Sequence, residues 1–192
     1  SVVAESSKKK DFYARTGKGG PVFLLPAGNR SALDKSLYDL RDKRLFTLAS
    51  DEVTRFALER PSGSWTFARS GETTWAVEGD PGFPLDSERL NETVRRLTWA
   101  EAESFEEERA DDPEPYGLDS PSYRIGLSGG DTTEELLVGG PADTAEEPRR
   151  YARLVSRPPV VTVRARLLEE IPVSLEELRR EDEGDESPGT GE

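Results

Sequence analysis

Apolar and polar residues alternate in several short runs along the chain, which is typical of β-strands that bury one face. Three such runs occupy residues 53–59, 64–69 and 74–78. They are separated by Pro61-Ser62-Gly63 and Ser70-Gly71-Glu72, and clusters of this composition form turns. The pattern therefore predicts an antiparallel meander of three strands.

Aromatic side chains share one face of this meander. Trp65 and Phe67 are two residues apart and lie on the same face of the second strand. Trp75 and Val77 fall on the matching face of the third strand. Such a pair of tryptophans could stack a sugar or a base, but alternation that matches a one-sided sheet favours packing in a core. We expect these side chains to be buried.

A helical pattern follows the meander. Asp86 is suited to cap the N-terminus of a helix, with Leu85 and Leu90 at the two hydrophobic-staple positions. The apolar stripe at helical spacing consists of Leu90, Val94 and Leu97. The charged residues between them lie on the opposite face, as in a helix with one solvated side. We expect this helix to end at about residue 98.

More strand patterns follow the helix. A short strand is expected at residues 101–105, followed by an acidic, proline-containing loop at residues 106–115. Residues 122–127 and 134–138 form a second hairpin pattern, joined through Gly129-Gly130-Asp131. The glycine-rich segment after residue 138 is expected to be an irregular connection.

One stretch of the chain occurs twice. At an offset of 138 residues, and with no gap, Tyr13-Ala14-Arg15 matches Tyr151-Ala152-Arg153, and Pro21-Val22 matches Pro159-Val160. The match continues through the pairs Ser36-Leu37 and Ser174-Leu175, then Leu40-Arg41 and Leu178-Arg179. An internal repeat of this kind indicates two copies of one structural unit.

The repeat predicts the domain organisation. Residues 1–10 are a linker, residues 11–44 the tail of a first repeat unit, residues 45–180 a complete unit, and residues 181–192 an acidic mobile tail. Since Ser1 corresponds to Gly139 at this offset, the chain is expected to begin partway through a unit.

Each copy of the repeat predicts a hairpin and then short helices. The two hairpins are formed by residues 11–16 with 22–25 and by residues 150–155 with 160–163. Ser36 and Ser174 each stand three residues before an acidic residue, the spacing of a capping box at the start of a new helix. Pro172 should stop a helix that begins at Ala165. The whole chain is predicted to be an α+β fold of antiparallel sheets, with hairpins, a meander, a few short helices and an internal repeat.

Charge and composition exclude several classes of partner. The formal net charge is −13, which argues against binding to nucleic acid or to an anionic membrane surface. The chain has no Cys and no His, so it has no disulfides and lacks the commonest metal ligand and general base. The longest apolar run, residues 22–25, is far shorter than the roughly 20 residues of a membrane-spanning helix. We expect a soluble fragment with no direct membrane contact.

Three motifs suggest chemistry only weakly. Residues 17–20 are rich in glycine and contain a lysine, but a proline and a strand follow instead of the Ser or Thr and the helix of a phosphate-binding loop. The acidic residues at positions 101–114 lack the spacing of a calcium-binding loop, which favours a solvated loop. Serine residues have no His to activate them and no GxSxG motif. The serines considered are Ser87, Ser120 and Ser128.

The repeated pair of Tyr and Arg could also mark a ligand site that occurs twice. Arg15 and Arg153 recur with Tyr13 and Tyr151, but a strand position whose Arg covers the ring explains the pair better. No residue is therefore assigned to catalysis, to a cofactor or to a metal. A converging pair of carboxylates, as in glycosidases, stays open because no pair stands out in the sequence.

The order of these motifs resembles a known family. The residues that carry the resemblance are Tyr-Ala-Arg before a hairpin, SLYDLRDKRLF at residues 36–46, YGLDSP at residues 116–121 and Val138-Gly139. The chain resembles domain-of-unknown-function family 4340 over residues 11–180. The resemblance implies a bacterial, repeat-built domain that is usually carried behind one N-terminal membrane helix. It also implies a location outside the cytoplasm and an association with gliding-motility-type ABC transporters.

Two functions from different classes are consistent with these patterns. In the first, the chain is a non-catalytic extracytoplasmic interaction module of a membrane-anchored bacterial protein. Its partner would be a protein, such as an ABC transporter component or part of an envelope assembly. In the second, it is a carboxylate-based hydrolase or a carbohydrate-binding domain that uses Trp65 or Trp75 in a cleft. The absence of His, Cys and any nucleophile motif favours the first. The second function would lose its support if the two tryptophans are buried and no carboxylates converge in a pocket.

Overall fold

The computed structural model describes residues 2–5, 12–15, 21–26, 41–142, 147–169 and 171–180. The chain forms two compact units, Ser1–Asp42 and Lys43–Glu192. This division lies close to residue 45, where a complete repeat unit is expected to start. Each unit is described by itself below.

The first unit contains a three-stranded antiparallel sheet in the order β1-β2-β3. The strands are β1 (Val2–Glu5), β2 (Phe12–Arg15) and β3 (Val22–Leu25). The last two form the predicted hairpin. The prediction that residues 1–10 are a linker is wrong for Val2–Glu5, because this short apolar, β-branched segment pairs with β2. The helices predicted after β3, including a cap at Ser36, lie outside the described residues.

The second unit is built on an eight-stranded antiparallel sheet in the order β6-β5-β4-β8-β9-β10-β11-β7. Its strands are β4 (Arg55–Arg60), β5 (Gly63–Arg69), β6 (Trp75–Val77), β7 (Ser104–Glu107), β8 (Tyr123–Gly129), β9 (Thr132–Ala142), β10 (Arg149–Leu154) and β11 (Val160–Arg164). The predicted meander is β4-β5-β6, and the two predicted hairpins are β8-β9 and β10-β11. The fold is therefore largely sheet.

Strand β9 extends through the glycine-rich segment that was predicted to be an irregular connection. Its residues Pro141 and Ala142 still pair with β10. Gly139 permits this course because a Cβ atom there would lie 2.1 Å from the carbonyl oxygen of Tyr116. Gly139 thus allows two backbone segments to pack closely. The glycine-rich composition of the segment had instead suggested an irregular connection.

The helix α1 (Ser87–Thr98) confirms the helical pattern in detail. The side chain of Asp86 accepts a hydrogen bond from the backbone N–H of Arg89 at 3.0 Å. The stripe of Leu90, Val94 and Leu97 is fully buried, as is Leu85 before the cap. Local capping and amphipathicity agree with the tertiary packing here, and the helix ends at the expected residue.

The second repeat copy contains less helix than predicted. Helix α2 (Ala165–Glu169) stops before Pro172, as expected. However, the prediction of a helix capped by Ser174 is wrong, because only a 3₁₀ turn at Glu176–Leu178 follows and Leu175 stands at its cap position. The carboxylate of Glu177 accepts from the backbone N–H of Val173 instead of closing a capping box on Ser174. A second 3₁₀ turn, Glu114–Tyr116, lies in the acidic loop.

One large hydrophobic cluster holds the second unit together. It includes Leu90 of α1, Phe67 of β5, Leu127 of β8 and Val161 of β11. A smaller cluster of Leu118, Leu137 and Val160 packs separately. Buried residues of β11 therefore belong to both clusters. Among the described residues, no helix is long and apolar enough to cross a membrane.

Candidate functional site

Strand β3 is an edge strand with exposed apolar residues. It pairs with β2 along one edge, and no strand in the described part of the chain pairs with its other edge. Its consecutive apolar residues Val22, Phe23 and Leu24 are 57%, 48% and 54% exposed. Because successive residues of a strand point to opposite faces, apolar surface is open on both faces as well as along the edge. We call residues 22–24 and this unpaired edge the β3 edge.

Strand β11 occupies the corresponding position of the second copy. Tyr13 pairs with Leu24 and Ala14 with Phe23, and at the offset of 138 residues Tyr151 pairs with Thr162 and Ala152 with Val161. The register of the two hairpins is the same. The counterparts of the β3 edge, residues Val160, Val161 and Thr162, are 0%, 7% and 1% exposed.

The strand before each hairpin also corresponds, with one correction to the predicted alignment. Val2 pairs with Ala14, and Val138 pairs with Ala152, so pairing equates Val2 with Val138. The ungapped offset equated Ser1 with Gly139 and is two residues out of register here. The reason is the length of the connection to the next strand. The connection between Glu5 and Phe12 is two residues shorter than the one between their counterparts, Pro141 and Arg150. Both ladders contain an irregularity at this point.

The tryptophans that could have formed a ligand platform contribute to the core. Trp75 is buried, and its indole N–H donates to the side-chain oxygen of Asn91 at 2.8 Å. The guanidinium of Arg69 lies 4.8 Å from the centre of the same ring. Trp65 is partly buried and packs against the large cluster. The prediction that these residues pack in a core is confirmed for Trp75 and holds in part for Trp65.

Trp99 is the aromatic residue that sequence reasoning missed. It directly follows α1 and is 79% exposed. It lines an open groove of about 640 Å³ together with Arg96, Arg164 and Leu167. Its position one residue beyond the predicted helix end, and outside the apolar stripe, was the available signal.

The acidic segment before β8 forms a small polar and aromatic patch. The hydroxyl of Tyr116 donates a hydrogen bond to the carboxylate of Glu107, and this bond raises the pKa of the Tyr116 phenol. The ring of Tyr116 packs edge-on against Tyr151, with ring centres 5.0 Å apart. The repeated tyrosine therefore packs against another aromatic ring in the second copy, and cover of this ring by Arg153 stays a prediction. No group of three acidic residues in the described ranges converges as metal ligands would.

The serines considered from the sequence have structural surroundings. The hydroxyl of Ser87 accepts from the backbone N–H of Trp75 at 3.0 Å, and that of Ser128 accepts from the Thr133 hydroxyl at 3.1 Å. Ser120 is exposed in a bend. The glycine-rich residues 17–20 and the side chain of Arg15 lie outside the described residues. The one buried carboxylate in the described part of the chain, Glu134, accepts from the backbone N–H groups of Thr47 and Leu48.

Comparison with protein families identifies the chain. The family model described as Domain of unknown function (DUF4340) matches residues 2–121 and, in a second overlapping match, residues 75–185. The chain belongs to the DUF4340 family. The two matches to the DUF4340 model include both β3 and β11. Comparison with curated proteins and with solved structures finds no match.

Proposed function

We propose that this DUF4340 chain is a non-catalytic interaction module that binds a protein partner by strand addition at the β3 edge. In this proposal it works outside the cytoplasm as part of a membrane-anchored bacterial protein, as an accessory to an ABC transporter or an envelope assembly. The family resemblance supports the location and the class of partner. The binding surface is supported by the geometry of β3.

The observation that carries the proposal is the difference in exposure between two strands of the same register. Val22, Phe23 and Leu24 are about half exposed, whereas their counterparts in β11 are buried. An edge strand offers unpaired N–H and C=O groups, and proteins normally protect such edges with charges, prolines or a covering segment. An apolar edge that no described strand covers is suited to pairing with a strand of another protein.

We also infer that residues 11–44 and 149–182 are two copies of one repeat. Matching sequence at one offset and matching strand register in β2-β3 and β10-β11 support this inference. The two overlapping family matches agree with a repetitive chain. A repeat whose matched positions pair and pack, without a shared polar site, fits a structural and interaction role.

The alternative is a hydrolase or carbohydrate-binding domain. Its sequence support was a cleft that combines acidic residues with Trp65 or Trp75. Trp75 is buried in the core, and Trp65 is partly buried against it. The exposed Trp99 is a new candidate platform for such a ligand, since an aromatic face beside arginines suits a polar ring. The β3 edge remains the better-supported surface, because the second copy provides a direct comparison for it.

A pull-down with matched variants tests the proposed function. The immobilised chain is incubated with an envelope extract of its source cells, as wild type and as Val22→Pro and Val22→Thr. We expect a partner that wild type and Val22→Thr retain and Val22→Pro loses. Proline removes the backbone N–H of residue 22, whereas threonine keeps this donor and the β-branched shape.

Circular dichroism shows whether both variants keep the wild-type fold. Equal recovery with Val22→Pro would reject the β3 edge as the binding surface. Turnover of a glycan or an ester by the purified chain would reject the non-catalytic interpretation. The Trp99→Ala variant tests the alternative: if it abolishes binding of a glycan while Val22→Pro does not, the carbohydrate-binding interpretation replaces ours.

A further inference from the structure

The second copy shows what covers a strand in the position of β3. Strand β7 pairs antiparallel with β11, opposing Thr162 to Ser104 and Val161 to Phe105. The backbone N–H of Glu103 donates to the carbonyl of Thr162 at 2.8 Å. The ring of Phe105 is partly buried against the large hydrophobic cluster. An edge strand with one aromatic residue thus covers β11.

The register of the two hairpins transfers this arrangement to β3. Leu24 corresponds to Thr162, so its carbonyl lies on the unpaired edge of β3. The backbone N–H and C=O groups of Val22 point to the same edge, because these groups of alternate residues in a strand point to the same side. Phe23 corresponds to Val161, which lies opposite Phe105. A strand added in the β7 register would therefore place an aromatic side chain opposite Phe23, a favourable cross-strand pair.

Charge adds a second requirement for the incoming strand. Residues 1–42 contain eight Lys and Arg against five Asp and Glu, whereas residues 43–192 contain 18 against 34. The sheet that contains β3 thus belongs to the basic part of an acidic chain. Strand β7 is strongly acidic: the carboxylates in it and beside it are Glu101, Glu103, Glu106, Glu107 and Glu108. Opposite charges favour pairing of such a strand with the basic unit.

We propose that the segment that binds the β3 edge is an acidic β-strand with an aromatic residue opposite Phe23, like β7. This inference rests on the proposed function and names the chemistry of its partner. The strand pairs antiparallel with β3, receives its edge N–H groups, and covers Phe23 with an aromatic ring. Its negative charge complements the net positive charge of residues 1–42.

A peptide with the sequence of residues 101–109 is the direct probe. It is labelled with a fluorophore and titrated into the whole chain while anisotropy is measured. We expect saturable binding to wild type and to Val22→Thr, and binding at least about tenfold weaker to Val22→Pro. Since exposed charges are screened by salt, affinity should also fall between about 0.05 M and 0.5 M NaCl.

Two altered peptides test the chemistry without changing the chain. Replacing the phenylalanine by serine removes the aromatic contact with Phe23, and replacing all glutamates by lysines reverses the charge. Both should weaken binding to the wild-type chain at least about fivefold. The inference is overturned if the native peptide shows no saturable binding, if Val22→Pro binds it as wild type does, or if the charge-reversed peptide binds equally well.

The same peptide separates this inference from the proposed function. It is added as a competitor in the envelope pull-down. Loss of the partner supports both proposals. A partner that depends on Val22 but is not displaced overturns the acidic, aromatic strand and leaves strand addition standing. Peptide binding without any captured partner supports the strand chemistry and counts against the proposed function. If the peptide instead dissolves a dimer seen by sedimentation, the acidic strand comes from a second copy of this chain.

Discussion

Two sets of three strands in this chain have the same hairpin register and opposite environments. In β1-β2-β3 the last strand is open to solvent, and its apolar residues are about half exposed. In β9-β10-β11 the last strand pairs with β7, and it contributes to two buried clusters. Pairing within a hairpin is therefore independent of whether the last strand is covered.

The difference shows that the local sequence pattern determines how a hairpin pairs, whereas tertiary packing determines whether its last strand is buried. Turn residues and strand propensity at matched positions give both hairpins their register. Burial of β11 depends on residues far away in sequence, such as Phe105 of β7 and Leu118 after the acidic loop. A sequence repeat predicts the hairpin register in both copies. It predicts burial of the last strand only where the residues that cover this strand are repeated too.

The largest expected effect comes from a charge placed at matched positions. Val161→Asp puts a carboxylate into the large cluster, where it has no partner, and should lower the free energy of unfolding of the second unit by about 4 kcal/mol or more. Phe23→Asp changes a half-exposed residue and should cost less than about 1 kcal/mol. Urea unfolding followed by NMR signals of each unit measures both values.

Equal costs at the two positions would contradict the comparison. A small loss for Val161→Asp would mean that this side chain is more exposed in solution than the 7% of the structure indicates. A large loss for Phe23→Asp would mean that β3 is covered in solution. Phe23→Leu and Val161→Ile serve as controls, because they change shape and keep the apolar character.

Truncation in α1 tests the core that covers the second sheet. Leu90 is 0% exposed at the centre of the stripe, so Leu90→Ala should cost about 2 to 5 kcal/mol. Glu88→Ala on the exposed side of the same helix is the matched control and should cost less than about 0.5 kcal/mol. All three tryptophans belong to the second unit, so tryptophan fluorescence during urea unfolding reports its stability. A loss below about 0.5 kcal/mol for Leu90→Ala would remove this helix from the core.

Hydrogen exchange compares the two edges without any substitution. The amide of Leu24 lies at an open edge and should exchange close to the rate of an unfolded chain. The amide of Thr162 lies between β10 and β7 and should exchange at least about a hundredfold more slowly. The amide of Ala14 lies in the central strand of the first sheet and is the internal control. Equal protection of Leu24 and Thr162 would show that another segment already covers β3.

Much of the fold follows from short-range signals in the sequence. The cap at Asp86, the stripe around Leu90 and the turn clusters of the meander act within a few residues, and each element lies where these signals place it. The failures occur where distant residues decide. Gly139 continues a strand because it packs on Tyr116, and Ser174 is not a cap because Glu177 bonds to Val173 instead.

The candidate surface was only partly predictable. The hairpin at residues 11–25 and the recurrence of its sequence are visible in the chain. The exposure of Val22, Phe23 and Leu24 is not visible in the sequence, because the matched residues of the second copy, two of which are also apolar, are buried. The position of β7 beside β11, which suggests the chemistry of the partner strand, is a contact between segments more than fifty residues apart.

The smallest expected effect concerns an exposed ion pair. It tests whether burial of apolar residues, and not ion pairing at the surface, stabilises the second sheet. The side chain of Arg55 donates to both carboxylate oxygens of Glu78 at 2.8 Å, and this hydrogen bonding lowers the pKa of Glu78. A lowered folded pKa means that the pair contributes at neutral pH, and that the contribution is lost as the pH falls through the folded pKa. Because both groups are exposed, solvent screens the pair and the contribution is small.

Glu78→Gln should therefore lower the urea midpoint slightly at neutral pH, and the difference between the two proteins should disappear as the pH falls through the lowered folded pKa of Glu78. The measurement is urea unfolding of both proteins by tryptophan fluorescence across this range. Glu72→Gln is the control for the loss of one charge, because Glu72 is exposed and its carboxylate forms no ion pair within the described part of the chain. If Glu78→Gln destabilised the unit as strongly as Leu90→Ala, surface pairing would rival burial. Burial of β11 and exposure of β3 would then not be the main difference between the two sheets.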